Sequence, residues 1–416
     1  MKGSPVEVWL WLLLVMNPHN PKTLALLEHF GSADTLARAI RDGECEGLSD
    51  SERQRAANTR TREVRQIMEE CAAHNIRIIT LDDPEYPSLL KNIYSPPIVL
   101  FVRGSLTCLN DAVSLAVVGP RRPSEYAVRA GEKLCTELVK LGTVLVSGLA
   151  VGIDTVAHTC SVRGGVPTIG VLACGQLVNY PAENEELKKR IVSGGGAVIS
   201  ELLPHASVDS GYFHQRNRMI SGLGMGTLVV EASTRSGCLL TANHAIDQGR
   251  DLFCVPPGDI TRESCMGVVP FLRDGAIPVF DHLDIVKEYM CYFFSRIDAD
   301  ELNDRYHRSP ARKQSMKQER QYVSARVKPD KPEPLNSGVV DIQTVPEETP
   351  TVPEEKLKGL PELQVNLTKL VEKSPSTADE LLEISGISYA EAVEALTELE
   401  IAGLIQLMSD GRYHIV

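Results

Sequence analysis

Several familiar patterns are missing from this chain, and each absence removes a class of chemistry. No two of its ten cysteines stand closer than Cys254 and Cys265, eleven positions apart, so no C-x-x-C pair exists for a zinc ribbon or a thioredoxin-type exchange. Several of them (Cys135, Cys174, Cys254) fall inside apolar runs, as reduced, buried thiols do. The P-loop, the H-E-x-x-H helix and the nucleophile elbow are also missing. Where a dinucleotide fold places G-x-G-x-x-G, the chain reads VVGPRRPSEY, with one glycine and two arginines, so no cofactor is expected. The apolar run VWLWLLLVM (8–16) is far shorter than the ~20 residues of a membrane span. Glu7 precedes it and no small-residue cleavage site follows, which points to a buried first helix carrying Trp9 and Trp11, no membrane partner and a cytoplasmic location.

Charge of one sign is also in short supply. Lys and Arg total 43 against 55 Asp and Glu, a net charge of −12, which argues against a nucleic-acid binder that uses its whole surface. A local basic site remains open, because net charge does not say where charges sit. At 416 residues and 43% apolar content, the chain has room for two or three domains, one with a sizeable core.

Residues 1–75 read as helices, with a cap-like break at Phe30-Gly31-Ser32. Residues 76–104 look extended and irregular, divided by Pro84, Pro87, Pro96 and Pro97. From 110 to 290 the rhythm changes. Six short β-branched runs appear at VSLAVV (113–118), TVLVS (143–147), PTIGVL (167–172), AVIS (197–200), TLVVE (227–231) and DLFCV (251–255), with helix-length segments between them. That alternation predicts a doubly wound α/β domain over 76–295 with a parallel sheet as its core. Residues 296–360 lose the pattern and read as a disordered linker: 301–330 holds eight Lys/Arg against four Asp/Glu, and 331–360 carries five prolines. Over 361–416, three helical segments and a hairpin with an Asp410-Gly411 turn suggest a winged helix.

Ligands of an open parallel sheet bind at the carboxyl ends of its strands. Here those ends carry GPRR (119–122), SGLAVGID (147–154), ACG (173–175), ELLP (201–204) and EASTRSG (231–237). Their glycines and serines predict open backbone N–H groups at helix starts, which favour anions. The cations within reach are Arg121, Arg122, Arg216, Arg218 and Arg235, and together they describe a phosphate-binding mouth. The stretch FHQRNRMISGLG (213–224) places three of the polar groups, Arg216, Asn217 and Arg218, in an apolar region, where a buried arginine needs a partner. Two partners stay open: an anionic ligand, or the carboxylates of Glu201 and Glu231. Asp154, His158 and Asn184 are open in the same way, as site residues or as caps and core hydrogen-bonders.

The series VVGPRRPSEYA, VSGLAVGIDTVAH, TIGVLACGQLVNYPAEN, ISELLP, FHQRNRMISGLG, VVEASTRSGCLLTANHAIDQGR and VPPGDITRESCMG resembles the DNA-processing protein A (DprA/Smf) family. The upstream EYPSLLKNIYSPPIVLFVRG is similar to the segment that leads into that family's Rossmann-like domain, the helical start to its SAM-like domain, and the end to its winged helix. The resemblance implies a non-catalytic protein that binds and protects single-stranded DNA and loads the RecA recombinase onto it in natural transformation, as a homodimer. It places the binding residues at Gly119 and Arg121 (G-x-R), at Ser147, Gly148 and Ala150 (S-G-x-A) and at Arg216, Asn217 and Arg218 (R-N-R), with Phe213 as a stacking face. With Arg122, Arg235, Ser236 and Gly237 from the strand-end loops, these make up the expected DNA site. Three positions depart from the family pattern: Val151 where a basic residue is common, His214 in place of proline, and the added Pro257. The winged helix departs in charge. Residues 361–416 hold three Lys/Arg against ten Asp/Glu, and the 388–402 segment carries Glu391, Glu394, Glu398 and Glu400 without a cation, so it is expected to repel DNA and to contact protein or the basic half of the linker.

A second reading is an enzyme. GMGTLVVE (224–231) resembles the glycine-rich G-x-G-T-x-x-E signature of lysine-decarboxylase-like phosphoribohydrolases, and that likeness implies Glu231 as an active-site carboxylate with Arg218 beside it.

Overall fold

The structure is a computed structural model that describes residues 5–110, 112–293 and parts of 360–415. Of the expected linker (296–360), every position but Leu360 lies outside the described residues. The chain divides into two compact units, Met1–Ala325 and Arg326–Val416.

Five helices open the first unit: α1 (Pro5–Met16), α2 (Lys22–Phe30), α3 (Ala33–Asp42), α4 (Asp50–Asn58) and α5 (Thr61–Ala73). Helix α1 is apolar nearly all round because nearly all of it is buried, Trp9 and Trp11 included. Among the described residues no helix is long and apolar enough to cross a membrane. The break after Phe30 has a local cause. Gly31 takes a left-handed conformation (φ 75°) that closes α2, and the Ser32 side chain accepts the Thr35 N–H to open α3.

A nine-stranded sheet follows, built from β1 (Arg77–Thr80), β2 (Val99–Gly104), β3 (Ser114–Val118), β4 (Val144–Ser147), β5 (Thr168–Val171), β6 (Ala197–Ser200), β7 (Gly226–Val229), β8 (Asp251–Cys254) and β9 (Ile277–Pro278). All six expected runs are strands, and from β6 to β9 the sheet is parallel. Their side chains alternate between two cores. Ala116 and Val118 face a layer shared with α1 and α10 (Ser210–Leu223), whereas Leu115 and Val117 face α7 (Glu125–Lys140) and α8 (Ile153–Gly164). Burial on both faces is why these strands read as unbroken apolar runs.

The region 76–104 is extended as expected but more regular than the sequence suggests. Its strands β1 and β2, joined through the short helix α6 (Ser88–Lys91), pair antiparallel and extend the sheet, with β2 also antiparallel to β6. The buried Gln176 amide fastens that edge by donating to the carbonyls of Phe101 (2.8 Å) and Val198 (2.7 Å).

Strand order is β1-β2-β6-β5-β4-β3-β7-β8-β9, so the chain winds outward in one direction from β3 and then returns to its other side. The reversal opens a crevice between the carboxyl ends of β3 and its neighbours. Helices α9 (Glu185–Ser193), α10 and α11 (Cys238–Asp247) complete the layers.

In the second unit, a helix (Glu362–Lys373) and an antiparallel hairpin of β10 (Ile405–Leu407) and β11 (Tyr413–Ile415) share a core that includes Leu367, Leu396 and Leu399. The Asp410-Gly411 turn and most of the acidic 388–402 segment lie outside the described residues.

Arg218 on α10 and Glu201 after β6 form a buried pair with two bonds of 2.7 Å, and Arg218 also donates to the Ser95 carbonyl at 2.8 Å. His19, after α1, lies 3.2 Å from the same carboxylate. Burial alone pushes the Glu201 carboxyl up, but Arg218 and His19 outweigh it and hold the pKa at about 2. The folded value lies below the ordinary 4.5, so this carboxylate stabilises fully above pH 4.5 and loses its contribution as pH falls toward about 2. Glu201→Gln, which strands a buried guanidinium, is expected to cost about 3–5 kcal/mol in urea unfolding at pH 7. The difference from wild type should shrink on acidification through that window, and a constant difference would contradict the assignment.

Candidate nucleic-acid interface

A cavity of about 460 Å³ occupies the crevice at the strand reversal. Gly119, Pro120 and Arg121 reach it from β3, Ala150 and Asp154 from β4, and Ser236, Gly237, Cys238 and Thr241 from the segment after β7. Helix α10 supplies Ser210, Phe213, His214, Arg216, Asn217 and Ile220. Those positions recur at three- and four-residue steps, so one face of α10 forms a wall.

Arg216 is only 6% exposed. Its Nη1 donates to the carbonyls of Gly148 (2.7 Å) and Val171 (2.6 Å), where β4 and β5 end. Burial lowers its pKa to about 10, with Asp154 pulling upward and Arg121 pushing down, so the group stays charged at neutral pH. A Cβ on Gly148 would sit 2.1 Å from that Nη1, so a side chain there would displace the guanidinium.

The S-G-x-A turn was expected to hold its N–H groups open for an anion. The structure corrects this: Asp154 Oδ2 already accepts the N–H groups of Gly148 (3.1 Å) and Ala150 (3.2 Å). The protein's own carboxylate fills the cradle. Burial raises the Asp154 pKa, opposed by Arg216 and by these N–H donors. Asn184 holds the turn from outside by donating to the carbonyls of Leu149 (2.8 Å) and Ala150 (3.2 Å). His158 is a core residue, bonded to Thr168 at 2.9 Å, and burial drops its pKa to about 3.

The remaining expected residues divide clearly. At the mouth, the exposed Arg121 guanidinium lies 4.8 Å from the centroid of the Phe213 ring, whose other neighbours are Arg216 at 5.9 Å and the Tyr180 ring at 5.8 Å. Asn217 donates to the Gly237 carbonyl at 3.2 Å, tying α10 to the start of α11. Arg122 and Arg235 are exposed on loops next to the cavity but outside its lining. Ser147 is fully buried and spends its hydroxyl on Val117. Arg218 faces away, occupied by Glu201, so the structure places it in the framework and not at the mouth.

Glu231 is 5% exposed and also outside the lining. Its Oε1 accepts the Ser124 N–H at 3.1 Å, and its Oε2 accepts the Ser124 hydroxyl at 2.5 Å and faces the Cys265 thiol at 3.5 Å. The Glu231–Arg218 pairing that the enzyme reading needs is not formed. The sequence leaves Asp154 open between a site residue and a cap, and does not single out Ser210, His214, Cys238 or Thr241 for the site. The helical spacing from 210 to 220 was the available signal for the first two.

Residues 77–290 match the family model of DNA recombination-mediator protein A, and 350–411 match the DprA winged helix domain. Protein Smf of Synechocystis sp. is 30% identical over 399 residues, 93% of this chain and 93% of its own. DNA processing protein DprA of Bacillus subtilis is 37% identical over 213 residues, 51% of this chain and 71% of that one. The X-ray structure of DprA from Streptococcus pneumoniae aligns with a TM-score of 0.61 at 31% identity, covering 69% of this chain and 99% of that one.

The contact between Gly148 and Arg216 gives a non-additive expectation. Gly148→Ala should lower the Tm by several degrees, since steric strain there costs about 1–3 kcal/mol. In an Arg216→Ala background the same change should cost far less, because the clashing atoms are gone. A thermal double-mutant cycle with additive losses would contradict the contact.

Proposed function

This chain belongs to the DNA-processing protein A (DprA/Smf) family, and from that premise we propose that its cavity binds single-stranded DNA without a chemical step. The observation that carries the reading is the Arg121–Phe213 pair at the mouth: an exposed cation beside an aromatic face, the combination that grips a backbone phosphate and a stacked base together. A single strand presents its bases freely, whereas a duplex has to unstack one to reach the ring. The N-terminus of α11 supports the reading. Ser236, Gly237 and Cys238 line the cavity there, and Gly237 opens the helix with no side chain capping the first turn, an arrangement that suits phosphate oxygens. Arg122 and Arg235, exposed on the adjoining loops, are placed to neutralise the next phosphates. Phosphate contacts carry no sequence information, so affinity from these groups should be general.

Protection of incoming DNA, RecA loading, homodimer assembly and a role in natural transformation belong to the same proposal and draw on the family resemblance. The buried, fully engaged Glu231 supports binding over nucleotide hydrolysis.

Titrating labelled single strands and their duplexes against salt tests the site. Single strands should bind more tightly. Arg121→Ala should weaken binding and reduce the log–log salt slope by about 0.7, the share of one phosphate contact. Phe213→Ala should cost about 1–3 kcal/mol while leaving that slope unchanged. Binding that neither substitution alters would place the DNA site elsewhere. For assembly, light scattering of the full chain should give twice the chain mass, and a monomer at micromolar concentration would count against the dimer.

A further inference from the structure

A carboxylate in the lining of a phosphate-binding cavity needs a reason, since it repels the backbone. Asp154 stands there together with Arg216, Asn217 and Phe213. Its orientation is set by the protein: Oδ2 accepts the Gly148 and Ala150 N–H groups at 3.1 and 3.2 Å, and the Ser147 hydroxyl is a third neighbour. A carboxylate accepts about four hydrogen bonds, so capacity remains on the cavity side. Arg216 makes no ion pair with Asp154: Nη1 donates to the carbonyls of Gly148 and Val171, and Nε is buried without a hydrogen-bond partner. Through space the guanidinium opposes the rise that burial imposes on the Asp154 carboxyl. Asp154 therefore gives the cavity one charged acceptor, while its walls offer the Phe213 ring and aliphatic surface from Ile220 and Val118. The group that complements this is flat, apolar on its faces and carries N–H donors on its edge.

We propose that Asp154 is a specificity-determining residue: a nucleobase enters the cavity against Phe213, and Asp154 accepts its exocyclic amino group, so cytosine is preferred to thymine. This inference rests on the cavity being the single-strand site. A sugar hydroxyl would suit the same acceptor but would not discriminate between bases.

The test uses the full chain at pH 8 and three labelled oligonucleotides of equal length: oligo-dC, oligo-dT, and an oligo-dC in which pyrimidin-2-one, which lacks the amino group, replaces cytosine. Oligo-dC should bind on the order of tenfold more tightly than oligo-dT, the effect of one hydrogen bond to a charged group. The pyrimidin-2-one strand should bind as oligo-dT does. In Asp154→Asn the carboxamide oxygen has to remain on the two backbone N–H groups, which turns its NH₂ toward the cavity. Thymine O4 then finds a donor, and the preference should reverse. If the variant does not fold, the pyrimidin-2-one comparison decides on wild type alone. Equal binding of all three strands, or a thymine preference in wild type, overturns the role of Asp154 and leaves the single-strand reading standing. No binding to any strand removes both.

Discussion

A guanidinium withdrawn from water has to be answered locally, and the answer given to Arg216 organises the carboxyl end of the parallel sheet. Two backbone carbonyls at the ends of adjacent parallel strands take its Nη1, so α10 is fastened to β4 and β5 at one point. The close approach requires glycine at 148. The left-handed Leu149 and the tight turn behind it follow, with φ of 58° at Leu149 and Asp154 closing the loop from inside. Because Arg216 is held inward, Phe213, nearly one turn earlier on α10, is carried to the cavity mouth.

Arg218 shows how differently the same side chain is used two residues away. Successive helical residues turn by about 100°, so positions two apart point to nearly opposite sides of α10. Arg216 faces the cavity, whereas Arg218 faces Ser95 and Glu201 and, through that carboxylate, His19. One is answered by carbonyl dipoles and keeps a lowered pKa. The other is answered by a full charge and has its pKa raised. Only the first leaves charge beside the cavity, while the second joins the helical N-terminal layer to the sheet.

Much of this was legible in the amino-acid order. The six β-branched runs identified the parallel strands because burial on both faces leaves no polar alternation to misread. The loops after them contained Gly119, Arg121, Ala150, Ser236 and Gly237, which the fold brings together. The edge strands were not legible, since four prolines interrupt 76–104 and pairing with β6 depends on a distant glutamine amide. Nor could the partners of the arginines be read. Glu201 and Glu231 were equal candidates in sequence, and only the fold shows that Glu201 meets Arg218 while Glu231 caps α7 through Ser124. The turn 147–154 has the composition of an anion cradle; that its occupant is its own Asp154 is a matter of side-chain direction, which composition does not carry.

The reversal of strand order at β3 also fixes when the site can exist. Its two sides meet through the pairing of β3 with β7, in which Leu115 aligns with Gly226, and the last lining residue is Thr241. During synthesis, β3 to β6 can emerge and pair with one another while the crevice has only one bank. The cavity is complete only after the distant β7 and the start of α11 have left the ribosome, so a nascent chain can pair half of its sheet before the crevice has its second bank.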